Sequence, residues 1–230
     1  MADTCYLCGK PIVADRSADH LPPKQFYAAS LRSALNLNKL ITLPAHGACN
    51  KSFESDEEYF TWSLVPLAMG SPAADALVRD NATKFRSGRS EGLGIATLKE
   101  FESRPSGLHL PPGLVVKRVQ GARIARVAWK LVRGLYFREA SEVLPEDTPF
   151  TSELVEPIRA PAEAGQNALW EAVKSQPGKG SYGGVFEYKY LCAEGDGNRL
   201  LCWGILLWDR LMWFVAHHRP KMQEDSQPAV

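Results

Sequence analysis

The sequence lacks three features that would narrow its class early: a long unbroken apolar run, a strong charge of either sign, and an even set of cysteines. Its most apolar stretch, LLCWGILLWDRLMWFVAHH, is interrupted near the middle by Asp209 and Arg210, which makes it a poor membrane span and a good β-hairpin. The N-terminal MADTCYLCGKP has no apolar core of the length a secretory signal needs, so a cytoplasmic protein without a membrane partner is expected. The formal net charge of +1 neither demands nor excludes nucleic acid. Cysteines number five, three of them among the first fifty residues. An odd count clustered in this way argues against a disulfide framework and for a metal site in a reducing compartment. Internal repeats and low-complexity blocks are absent.

What is present describes an α+β chain. At 230 residues and 45% apolar content it can build one large domain or two small ones around a substantial core. Charge is uneven: Arg79 to Glu139 holds 13 Lys/Arg against 5 Asp/Glu. Such a basic middle suits a phosphate backbone, although solvated helix faces would read the same way. Residues 1–65 have the spacing of a small metal module, a two-stranded ribbon leading into a helix over CNKSFESDEEYFTWSL, with Phe53, Phe60 and Leu64 near one side. Pro22 and Pro23 should end the first strand just after His20. Residues 66–115 read as a connector with one helix over SPAADALVRDNATKFR.

Residues 116–218 form the expected second α+β domain. Ile124, Val127, Ala128, Leu131, Val132 and Leu135 recur at helical spacing, with Arg123, Arg126, Lys130 and Arg133 on other positions, giving an amphipathic basic helix that Gly134 should weaken or end. A second helix, AEAGQNALWEAVKS, precedes an antiparallel sheet built from VFEYKYLCA and a hairpin turning at Asp209 and Arg210. Cys192 and Cys202 are expected to pack in that sheet's core. His109, His217 and His218 have no partners at ligand spacing. The polar tail 219–230 should be disordered.

Cys5 and Cys8 form a Cys-x-x-Cys knuckle, and His46 and Cys49 in HGAC repeat the separation. Four soft or borderline ligands in two pairs are what a closed tetrahedral zinc site takes. The alternatives are buried cysteines beside a capping His, or a redox CxxC, which normally sits in a βαβ context not seen here. A zinc held by four protein ligands has no open position, so chemistry must lie elsewhere. Asp19 and His20 fall between the knuckles, and Asn50 directly follows the last ligand. A carboxylate and an amide carbonyl suit a hard divalent ion such as Mg²⁺, and a neutral imidazole beside them can take a proton from water. The plainer reading of Asp19 and His20 is a loop hydrogen bond between neighbours.

Taken together, Cys5-x-x-Cys8, Asp19-His20-Leu21-Pro22-Pro23 and His46-x-x-Cys49-Asn50 resemble the HNH endonuclease family, over about the first sixty residues. The resemblance implies a zinc-stabilised ββα-metal module that hydrolyses DNA phosphodiester bonds with one catalytic Mg²⁺ or Mn²⁺. It implies His20 as general base, Asp19 and Asn50 as ligands of that ion, and products carrying 5′-phosphates. One position departs: the family's middle Asn falls at Ile41, with Asn36 and Asn38 out of step. That departure keeps open a zinc-stabilised module that binds nucleic acid or protein without cutting.

Beyond the resemblance, Arg126, Lys130 and Arg133 are expected to touch phosphate, and Lys51 is either a phosphate contact or an exposed helical lysine. The C-terminal domain would supply substrate choice, regulation or a homodimer contact. Its tryptophans, Trp203, Trp208 and Trp213, would line a pocket if it recognises a ligand and fill the core otherwise.

Overall fold

A computed structural model describes residues 3–34, 40–103, 110–155, 164–180, 183–195 and 198–220. Asn36, Asn38, His109 and residues 221–230 of the tail lie outside these. The order is β1 (Arg16–Leu21), α1 (Ala29–Ala34), β2 (Ile41–His46), α2 (Gly47–Lys51), α3 (Glu54–Leu64), α4 (Pro72–Arg86), α5 (Glu91–Leu98), β3 (Phe101–Glu102), β4 (Val116–Lys117), α6 (Gly121–Ala140), β5 (Phe150–Val155), α7 (Ala164–Lys174), β6 (Phe186–Gly195), β7 (Asn198–Leu207) and β8 (Leu211–Pro220). The chain is thus mixed α+β. Among the described residues no helix is long and apolar enough to cross a membrane.

β1 and β2 pair antiparallel, with Arg16 opposite His46 and Leu21 opposite Ile41. The ribbon ends at Leu21 because Pro22 and Pro23 carry no amide donors. The helix expected from Cys49 to Leu64 is two helices. α2 stops at Lys51, and α3 starts at Glu54 with Glu54, Asp56 and Glu57 in its first turn, where acidic side chains complement the free amides. Within the expected connector, α4 begins with Pro72 behind Ser71, whose hydroxyl accepts from the Ala74 amide at 3.1 Å.

The four-stranded antiparallel sheet has the order β5-β8-β7-β6, and the β7–β8 hairpin turns through Trp208 and Asp209, both with positive φ. Trp203, Trp208 and Trp213 are all buried. They belong to the core. Trp208 Nε1–H donates to the Phe26 carbonyl at 3.0 Å, and Phe60 stacks between Phe26 and Trp213 at 5.0 and 5.4 Å. One apolar cluster therefore runs from Cys5 to Val215, tying the ribbon to the sheet. Cys202 is buried as expected, whereas Cys192 is exposed on β6.

α6 corrects another expectation. Its apolar positions Val127, Ala128, Leu131, Val132 and Leu135 are fully buried, and the helix runs through Gly134 to Ala140 without a break. Gly134 is there for close approach. A methyl group at this position would stand 3.0 Å from Leu21 and 3.1 Å from Leu43, on the face of the ribbon that α6 meets. Lys130 lies one turn earlier on the same side of α6, so this close packing also carries Lys130 into the ribbon. Gly134→Val should lower stability by about 1–3 kcal/mol in urea unfolding, through overpacking against the two leucines.

Candidate metal and cation site

The CYLC turn, the end of β2 and the start of α2 bring four ligands together. The Cys5, Cys8 and Cys49 sulfurs and a His46 ring nitrogen all lie within 4.8 Å of one another. Nδ1 is the inward atom, 3.4 Å from Cys8 Sγ and 3.9 Å from Cys49 Sγ. Zinc about 2.3 Å from sulfur and about 2.0 Å from nitrogen requires separations of about 3.5–3.8 Å, so these residues fit that ion and could hold it. His46 Nε2 lies 3.3 Å from the Pro11 carbonyl, a bond that selects the tautomer leaving Nδ1 free as ligand. Asp15 secures the turn: its carbonyl accepts from Gly47 N at 2.7 Å and its carboxylate from Ala48 N at 2.9 Å. A side chain at Gly47 would run into Asp15.

Burial pushes the Cys5 thiol up, but hydrogen bonds from the backbone of His46, Cys8 and Leu7 outweigh it and bring it to about 7. Cys49 is pushed up to about 12 by burial and by the neighbouring Cys8 and Cys5. Three cysteine sulfurs packed this closely can all ionise only with a cation among them.

Beside this cage, alternation along β1 buries Ser17, Asp19 and Leu21 more deeply than Arg16, Ala18 and His20. Asp19, only 4% exposed, accepts from the Tyr6 hydroxyl at 2.6 Å and from the Lys130 ammonium at 2.8 Å through the same oxygen. Burial and the Asp19 charge raise the Tyr6 pKa well above its usual value, so its hydroxyl stays the donor. Asn50 donates to Ser17 Oγ at 3.1 Å and offers Oδ1 to Lys130 Nζ at 3.3 Å. Asp19 and Asn50 therefore converge, thirty-one positions apart in sequence, on a single ammonium.

A residue absent from the sequence reading joins them. Glu57 of α3 is buried and pairs with Lys130. Burial raises its pKa, with Lys130 opposing the shift. Helical phase carried the signal: Glu57 is four residues after Phe53 and three before Phe60, inside the apolar stripe.

His20 sits apart from this cluster, on the other side of the strand and half-buried. Among the described residues its side chain makes no bond to Asp19 or Asn50. Burial, then the nearby Lys24, lower its pKa from 6.5, and Asp19 opposes them.

The basic side of α6 does not face solvent as expected. Lys130 is 2% exposed and Arg133 5%. Lys130 is therefore not a surface phosphate contact. Arg123 and Arg126 clamp Asp56 at 2.6 and 2.9 Å, and lie over the Tyr59 and Phe53 rings. The physical reason is complementarity: the cationic side of α6 docks on the acidic first turn of α3. Arg126 stays half-exposed. Arg133 lines a cleft of about 480 Å³ with Arg126, Trp129, Phe53 and Cys49, and its buried Nε has no partner among the described residues. Lys51 is exposed on α2.

Comparison with known proteins finds no family model, no curated protein and no solved structure that matches this chain.

Proposed function

We propose that the chain is an HNH-type endonuclease that hydrolyses DNA phosphodiester bonds, with His20 as general base. The observation that carries this reading is the convergence of Asp19 and Asn50 on one cation beside a Cys₃His cage. Zinc in that cage would be structural, holding the CYLC turn and α2 against the ribbon. Asp19 and Asn50 offer hard oxygen donors and suit Mg²⁺ or Mn²⁺. A divalent ion bound there supplies positive charge for the phosphate in the transition state and for the leaving 3′-oxygen.

The chain's own residues do the rest. His20, held neutral by burial and by Lys24, takes the proton from the attacking water. Tyr6 and Ser17 orient the oxygen donors, Tyr6 by donating to Asp19 and Ser17 by accepting from Asn50. The half-exposed Arg126, at the cleft, and the exposed Lys51 supply positive charge for the DNA backbone.

Lys130 also favours a second reading, a zinc-stabilised module that binds nucleic acid or protein without cutting, because its ammonium already neutralises Asp19. Zinc-loaded protein incubated with supercoiled plasmid separates the two. The nuclease reading predicts nicked circles when Mg²⁺ or Mn²⁺ is added and none without either ion. DNA binding without nicking under every divalent ion would select the module.

A further inference from the structure

Lys130 stands among the oxygens assigned above to a divalent ion, and three donors meet three acceptors there. The ammonium bonds Asp19 Oδ2 at 2.8 Å, Asn50 Oδ1 at 3.3 Å and a carboxylate oxygen of Glu57. A fourth neighbour is the Phe53 ring, 5.3 Å from Nζ. The oxygens come from β1, α2 and α3, whereas the cation comes from α6, seventy-three residues beyond the last of them. Two buried carboxylates aimed at one point repel each other unless a cation lies between them. The chain provides that cation itself.

The geometry points to Lys130 as an exchangeable occupant of the divalent-cation site: its ammonium holds the Asp19, Glu57 and Asn50 oxygens in place at rest, and Mg²⁺ or Mn²⁺ binds only by displacing it. This rests on the reading of Asp19 and Asn50 as cation ligands, and it adds Glu57 as a third. Occupancy by the lysine weakens the apparent affinity for the ion, since only the fraction of molecules with the ammonium withdrawn can bind it. A dedicated resting cation also keeps the oxygens ordered when no divalent ion is present.

The test is Mn²⁺ binding by the full-length, zinc-loaded chain, followed by electron paramagnetic resonance and by thermal unfolding. Lys130→Met, which keeps length and removes charge, should bind Mn²⁺ at least about tenfold more tightly than the wild type. Its unfolding temperature should be lowered without Mn²⁺ and recover when Mn²⁺ is added, a gain that Asp19→Asn in the same background abolishes. Should Lys130→Met not fold, Lys130→Met/Glu57→Gln removes one of the repelling charges and should bind Mn²⁺ more tightly than Glu57→Gln alone. Affinity unchanged or weakened on removing the ammonium, in both backgrounds, overturns the exchange. The nuclease reading is judged separately: tighter Mn²⁺ binding in the variants supports the exchange even if the wild type never cuts, and a wild type that cuts while the variants bind no tighter refutes it.

Discussion

His20→Ala is expected to lower the rate of plasmid nicking by about 10²–10⁴-fold, the usual contribution of a positioned general base. Zinc content and the unfolding temperature should stay close to those of the wild type, because the side chain is half-buried and, among the described residues, its hydrogen bond is to Ala18 of its own strand. The pH dependence follows from its environment. Burial and Lys24 hold the imidazole below 6.5. The acid limb of kcat/KM should therefore have its midpoint below pH 6.5, with the neutral base still present at pH 6.5. Stability has a matching sign: as pH falls below 6.5 the unfolded chain takes up this proton first, so folding is weakened down to the folded-state pKa and not further. An acid limb centred above pH 6.5 would remove His20 from the role.

Stripping zinc is the second large effect. The cage joins the CYLC turn to β2 and α2, and Tyr6, inside that turn, donates to Asp19. Loss of the ion releases the turn and the Asp19 network together. Structural zinc sites contribute about 10–16 kcal/mol in small zinc-finger peptides, so even a third of that lowers the unfolding temperature by about 10 °C or more in a chain of this size. We expect one zinc per chain, removable by strong chelators, and Cys49→Ser to reproduce the loss. Because Cys49 lies near 12 without an ion, zinc uptake must expel its proton, and affinity should fall as pH is lowered. Zinc-free protein that unfolds at the same temperature would contradict a structural cage.

The cage was legible because metal ligands announce themselves by local spacing, two residues between Cys5 and Cys8 and two between His46 and Cys49. The hairpin around Asp209 and the long α6 were legible for a similar reason, since each is written in a periodicity that fits one element. Lys130 and Arg133 were misplaced because a charge in an amphipathic pattern is assigned to solvent by default. Only the tertiary partners Asp19, Glu57 and Asn50 make burial of the ammonium affordable. Gly134 misled in the same manner: read along the helix it is a weak point, and read across to Leu21 and Leu43 it is a contact. Cys192 needed knowledge of which β6 face is covered. Spacing had placed Asp19, His20 and Asn50 in one neighbourhood, but strand alternation, which sets His20 apart from Asp19, acts on single residues.

The most direct measurement is cleavage of an end-labelled DNA duplex by zinc-loaded protein under single-turnover conditions with Mn²⁺, with the product ends identified. Our account predicts fragments bearing 5′-phosphate and 3′-hydroxyl ends, formed only when the divalent ion is present. Duplex that is bound yet stays intact with Mg²⁺, Mn²⁺ and every other divalent ion supplied would contradict it.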